Sequence, residues 1–143
     1  MKADVKITDN TGQVLASMKA QVARALEIIG GKAEGYTKAL TPVDTGALRN
    51  SFTHSVGGTT VTVGSNLEYS SYVELGTGKL YSPPPEWMEA QAQRGRGLDH
   101  WVYKGDDGQF HMGFPRAGAH MLQHGVGDHI SEYESIIKRE LSR

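Results

Sequence analysis

Six histidines are the residues of this 143-residue chain with the widest chemical reach. His120 and His124 stand four apart, a spacing that puts two imidazoles on one helix face, as zinc ligation would need. His100, His111 or His129 could supply a third ligand. The intervening residues are Met-Leu-Gln, so the glutamate of an H-E-x-x-H hydrolase motif is missing, and glycines weaken that helix. Solvent-facing or interface histidines are the plainer reading, and no metal ligand is assigned. Asp106 and Asp107 are adjacent carboxylates, but they fall where a tight turn favours aspartate for its backbone hydrogen bonds. No serine sits in a nucleophile elbow. Gly76-Thr77-Gly78-Lys79 lacks the spacing of a phosphate loop. Arg94 and Arg96, set between glycines, could touch phosphates, which leaves a small nucleic-acid-binding module as an alternative beside the metalloenzyme. Nothing in the residue pattern supports a catalytic or cofactor-binding residue.

Composition narrows the classes further. Apolar residues make up 38% and charged residues 22%, ordinary values for a soluble globular protein. Net charge is −1, so no basic field draws nucleic acid to the whole surface. Cysteine is absent, which removes disulfides and thiolate zinc sites and suits folding in a reducing cytosol. The N-terminus M-K-A-D-V-K-I-T-D has no signal-peptide core, and no apolar run nears the roughly 18 residues of a membrane span. One domain over residues 1–143 is expected, large enough to bury roughly two thirds of its unfolded surface.

Periodicity supplies the elements. Leu15, Met18, Val22, Ala25, Ile29, Ala33, Tyr36 and Leu40 recur in steps of three and four, predicting one long helix from Gln13 to Leu40. Asp9 or Thr11 would cap it, and Gly30-Gly31 would be the place for a bend. Pro42 ends the helix by disfavouring helical geometry at Thr41. Asp44 or Thr45 can cap a short turn through Ala47, Leu48 and Arg49, with Gly46 allowing close backbone approach. A hairpin turning at Gly57-Gly58 would pair Val56 with Thr59, His54 with Val61 and Phe52 with Val63. Phe52, His54, Val56, Val61 and Val63 then share one face, with His54 half-buried and hydrogen-bonded. Ser65 or Asn66 would cap a short helix ending at Gly76, with Leu67, Tyr72 and Leu75 inward and Glu74 within reach of Arg49. Residues 79–98 hold three consecutive prolines and no periodicity, an irregular loop whose Tyr81, Trp87 and Met88 suit contact with another subunit. A second hairpin centred on Asp106-Asp107 would pair Tyr103 with Phe110 and Trp101 with Met112. Beyond Pro115, Leu122, Val126, Ile130, Tyr133, Ile137 and Leu141 outline a closing amphipathic helix. The expected fold class is α+β: a long N-terminal helix and a C-terminal helix packed on an antiparallel sheet built from two β-hairpins.

Three segments stand in a telling order: L-T-P-V-D-T-G-A-L-R-N-S from Leu40 to Ser51, V-T-V-G-S from Val61 to Ser65, and Y-S-S-Y-V-E-L-G-T from Tyr69 to Thr77. In residues and order the chain resembles the tail-component family of long-tailed bacteriophages over roughly residues 10–78 and 110–142. The loop at 79–97 is longer than that family's pattern requires. The resemblance implies a structural protein of the virion, made in the bacterial host cytoplasm and needing no cofactor. Such a tail-completion or neck protein would form a homo-oligomeric ring between the head connector or stopper and the tail terminator or tube. DNA would only pass through its channel, and no membrane is involved. Contractile-tail relatives diverge at Y-V-E-L-G, which favours a non-contractile tail. The residues carried over as structural or interface candidates are Pro42, Asp44, Thr45, Gly46, Leu48, Arg49, Tyr69, Tyr72, Glu74 and Gly76, with Trp87 added from the loop.

Overall fold

The long apolar stripe forms one uninterrupted helix, α1 (Thr11–Leu40), about 45 Å in length at 1.5 Å per residue. The structure is a computed structural model describing residues 5–143; the first four residues of the segment read as lacking a signal-peptide core lie outside the described residues. Asp9 accepts both the Thr11 backbone N–H (2.9 Å) and its hydroxyl (2.6 Å), fixing the chain at the helix entry. Asn10 is the N-cap itself and makes no side-chain cap bond. At the far end Thr41 turns extended before Pro42, as the proline demands.

Only the middle of the stripe finds partners inside the chain. Ala25, Ile29 and Ala33 pack with Tyr133 and Ile136 of the C-terminal helix, with Val61 and Val63 of the first hairpin alongside. Leu15, Met18 and Leu40 stay about half exposed, so the predicted stripe is right in phase and too long in burial. The two glycines differ in role. A Cβ on Gly30 would press into the His54 ring and lie 2.9 Å from Val61 Cγ2, whereas Gly31 faces open space. Gly30 is therefore the notch that seats the hairpin against α1.

α2 (Ala47–Ser51) follows, then β1 (Thr53–Gly57) and β2 (Thr60–Gly64). The hairpin turns at Gly58-Thr59, one residue later than expected, so His54 pairs with Val63 and Val56 with Val61. Gly58 takes a φ of +59°, which a glycine adopts without strain. A shift of two in the pairing sum preserves the faces, so His54, Val56, Val61 and Val63 do share one side. Phe52 does not join them. It precedes β1, is fully buried, and forms a second core cluster with Leu48 and Met121.

α3 (Ser70–Leu75) starts later than predicted, although Ser65 Oγ accepts the Leu67 N–H at 3.1 Å. β3 (Gly76–Thr77) pairs with β6 (Arg116–Ala117), and β4 (Trp101–Lys104) pairs with β5 (Phe110–Gly113). The strands thus make three separate two-stranded ladders rather than one sheet from two hairpins. In β4–β5 the register is Trp101 with Gly113, Val102 with Met112, Tyr103 with His111 and Lys104 with Phe110. It is slipped by one from the predicted pairing, which exchanges the faces. The cause is a three-residue loop, Asp106 to Gly108, closed by Gly105 N–H to Gln109 O (2.8 Å), with Gly108 at φ +75°. The closing helix is likewise broken in two, α4 (Met121–Gly127) and α5 (Ile130–Leu141). Tyr133, Ile136 and Glu140 are the buried residues of α5, while Ile130, Ile137 and Leu141 are substantially exposed. Gly125 is no weak point, because its missing side chain lets α4 rest on Thr37 of α1.

The paired glycines give a direct test. Gly30→Ala should destabilise by about 2 kcal/mol, overpacking outweighing the helix-propensity gain of about 1 kcal/mol. Gly31→Ala should be neutral or stabilising by up to about 1 kcal/mol. Urea unfolding followed by far-UV circular dichroism measures both, and equal effects would refute the notch.

The cleft built by the motif segments

The three segments that stood out in sequence meet in space. Ser51 and Ser65 share a 2.6 Å hydrogen bond between their hydroxyls, joining the end of the first segment to the end of the second. Leu48 belongs to the Phe52–Met121 cluster, and Val73 of the third segment packs against it. Between the first and third segments lies a cleft of about 550 Å³. Pro42, Asp44, Thr45, Gly46 and Leu48 form one wall, and Tyr69 and Tyr72 form part of another. Arg116, Ala117 and Ala119 complete it, and no feature of the sequence pointed to them. Of the predicted caps, Thr45 Oγ1 accepts the Ala47 N–H at 3.3 Å, while Gly46 holds the cap position at φ +86°. Gly46 is required for that backbone angle, not for close approach, since a Cβ there would meet only Asn50 at 3.7 Å.

Arg49 and Glu74 do not pair. Arg49 Nη2 donates to the Thr41 carbonyl at 3.2 Å, tying α2 back to the end of α1. Glu74 is 2% exposed and points the other way. Its Oε2 accepts the Leu122 N–H and its Oε1 the Gln123 N–H, both at 2.9 Å. The first turn of a helix leaves its N–H groups unpaired, and the His120 side chain at the N-cap supplies no bond. A side chain 48 residues upstream caps α4 instead. The backbone reinforces the join, with Ala119 N–H donating to Val73 O (2.7 Å) and His120 N–H to Glu74 O (3.1 Å). Gly76, at φ +80°, lies so close to the returning strand that a Cβ would be 2.7 Å from Gly118 N. Just beyond, His120 adopts a φ of 50°, a left-handed conformation that costs a non-glycine residue about 1–2 kcal/mol. Both carboxyl oxygens of Glu74 are engaged in this cap, which leaves it no role as an acid or base toward the cleft.

The irregular loop folds back on the same corner. Lys79 N–H donates to Leu98 O (2.9 Å) and Gly97 N–H to Gly78 O (3.1 Å). Arg94 lies over the Tyr72 ring at 5.1 Å and Arg96 over Tyr81 at 5.2 Å, so both guanidinium groups are engaged by aromatic faces. Trp87 lies apart from the cleft, over a second cavity of about 560 Å³ that Ile29 and Val126 also line. The histidines are scattered. His124 bonds Asp128 (3.0 Å), His111 bonds Asp107 (2.9 Å) and His129 stacks on Tyr36 at 3.7 Å. His120 meets His124 edge-on at 6.2 Å, and no group of three or more His, Asp or Glu among the described residues could hold a metal ion.

One titratable cluster does stand out, where the first hairpin crosses α1. His54 Nδ1 lies 2.6 Å from Glu34 Oε2 and its Nε2 3.2 Å from Glu27 Oε2, with Lys38 on the far side of Glu34. The Glu34 hydrogen bond raises His54 above its ordinary 6.5, against the opposing effect of burial. Lys38 and then His54 hold Glu34 below its ordinary 4.5. Because His54 is raised in the fold, its stabilisation is complete below pH 6.5 and fades as pH climbs through the folded value. Because Glu34 is lowered, its share is complete above pH 4.5 and fades as pH falls through its folded value. The melting-temperature gap between wild type and His54→Gln should therefore be widest between pH 4.5 and 6.5 and narrow on the alkaline side. A gap that widens with rising pH would contradict the pairing.

Residues 6–76, about half of the chain, match the model of a family described as "Bacteriophage HK97-gp10, putative tail-component". The match takes in α1, the first hairpin and α3, and stops at Gly76, the glycine that crosses the returning strand. No curated protein and no solved structure matches the chain. With all three motif segments lying within or at the edge of the matched residues, the chain belongs to this bacteriophage tail-component family.

Proposed function

We propose that the protein is a tail-completion subunit of a phage or prophage neck, forming a ring that joins the head connector to the tail tube and catalysing no reaction. The observation that carries this reading is the use to which the motif residues are put. Glu74 accepts the Leu122 and Gln123 backbone N–H groups, Arg49 donates to the Thr41 carbonyl, and the Ser51 and Ser65 hydroxyls bond each other, leaving a shaped surface and no reactive pair. In such a ring each subunit presents one surface to a different surface of its neighbour. The long helix and the loop around Trp87, a residue 58% exposed, are available for that contact. The cleft of Pro42, Asp44, Thr45, Tyr69 and Tyr72 suits a segment of an adjoining neck protein, the connector or stopper above or the terminator or tube below.

A net charge of −1 suits a channel through which DNA must pass without being held. Among the described residues no helix is long and apolar enough to cross a membrane. The reading treats residues 1–143 as one domain of the virion neck, with the loop at 79–98 as a feature of its own. Deleting the gene from its phage or prophage tests the role by negative-stain electron microscopy of the induced lysate. DNA-filled heads beside separate tails, rejoined when the protein is supplied, are the expected result. Normal joined virions would overturn it.

A further inference from the structure

Among the described residues, two surfaces gather exposed apolar side chains on one face. The first is the N-terminal portion of α1, exposed from Thr11 to Ala20. Val14, Leu15 and Met18 share one face there, at 56%, 51% and 51% exposure, in phase with the stripe that is buried from Ala25 onward. The second is the β4–β5 hairpin. The observed register puts Val102, Phe110 and Met112 on one face, and Phe114 continues it; all four are more than half exposed. Soluble surfaces rarely gather apolar side chains this way unless something covers them. The inner part of α1 packs on α4, α5 and the first hairpin, whereas β4 and β5 pack chiefly on each other.

We infer that these two surfaces are the halves of one contact: the apolar face of β4–β5 docks on the exposed turns of α1 in a second copy of the chain. Charge argues for this occupant. Between Asp9 and Glu27 the helix carries Lys19 and Arg24 and no acidic residue. The hairpin from Trp101 to Gly113 carries Asp106 and Asp107 at its tip against the single Lys104. Size agrees as well, since the exposed helix from Thr11 to Ala20 runs about 15 Å and the strand Phe110–Gly113 about 14 Å. Two different surfaces meeting head to tail produce a closed ring or an open filament rather than a simple dimer. The inference rests on the ring reading and moves its second surface from the Trp87 loop to the hairpin. Trp87 covers a cavity of its own chain, while the hairpin face covers nothing.

The native chain has no cysteine, so introduced thiols report without interference. Leu15→Cys and Met112→Cys, both at exposed positions, should give disulfide-linked dimers when the two proteins are mixed and oxidised, and little when either is alone. A chain carrying both should give a ladder of linked oligomers. Asp106→Lys with Asp107→Lys should cut the linking by about tenfold, and Lys19→Glu with Arg24→Glu in the partner should restore it. Sedimentation of the unmodified full chain separates the ways this can fail. Oligomers in solution without Leu15–Met112 linkage would overturn the assigned surfaces and leave the ring intact. Monomers at every concentration without linkage would count against both. Self-linkage of a single variant, with no linkage between the two variants in the mixture, would replace the head-to-tail contact by a symmetric one.

Discussion

The architecture turns on one buried carboxyl group. Glu74 accepts the Leu122 and Gln123 N–H groups in the first turn of α4 and so fastens the third motif segment to a helix that begins 47 residues later. Buried N–H groups left unpaired cost about 1–3 kcal/mol each, so the alternative to this cap is a large share of the stability of a small domain. Everything nearby is arranged around the join. Gly76 gives the returning strand room, Gly118 lets the backbones cross, and His120 accepts a left-handed φ of 50° to aim α4 at the carboxyl. With α4 in place, Met121 closes the cluster of Leu48 and Phe52, from which Leu48 reaches the cleft.

α1 is the spine on which the first hairpin and the C-terminal helices α4 and α5 are mounted. Its contacts are set by where side chains are missing as much as by where they are present. Gly30 seats the first hairpin, and Gly125 of α4 settles against Thr37. Polar ties then fix the angle of α5, through the Tyr36 hydroxyl donating to Glu132 (2.7 Å) and Lys32 pairing with the same carboxylate (2.7 Å). Inside, the Tyr133 hydroxyl donates to Gly125 O at 3.2 Å, and burial pushes its pKa up to about 12. The outer turns of α1 lie beyond all of this, which makes the helix a spine over its inner turns and a projecting rod over its N-terminal ones.

What could be read from the residues was whatever the local chain decides. The phase of α1, its stop at Pro42, the faces of the first hairpin and the half-buried, bonded state of His54 all follow from period and nearest neighbours. The failures share a different cause. The second hairpin slipped by one because a left-handed Gly108 adds a residue to the loop, a choice the flanking aromatics do not reveal. The closing stripe runs through Asp128 and His129, where the chain in fact breaks, so that Tyr133 of the stripe is buried together with Ile136 while Ile130 and Ile137 stay substantially exposed. Of the candidate site, Pro42, Thr45, Leu48, Tyr69 and Tyr72 were legible as a set, but Arg116 and Ala119 were not. The local sequence offers Glu74 only Arg49 as a partner, because a cap delivered across 48 residues leaves no mark in either local sequence.

A motif can thus single out a residue for its part in holding the fold, and the tail-component segment here is of that kind. Amide hydrogen exchange on Glu74→Ala puts this to the test most directly. If Glu74 serves the architecture, the Leu122 and Gln123 amides and the rest of α4 should exchange roughly a hundredfold faster, while the α1–hairpin core changes far less. Unchanged protection of α4 in a folded variant would mean that Glu74 does not hold the helix, and that the motif retains it for something other than structure.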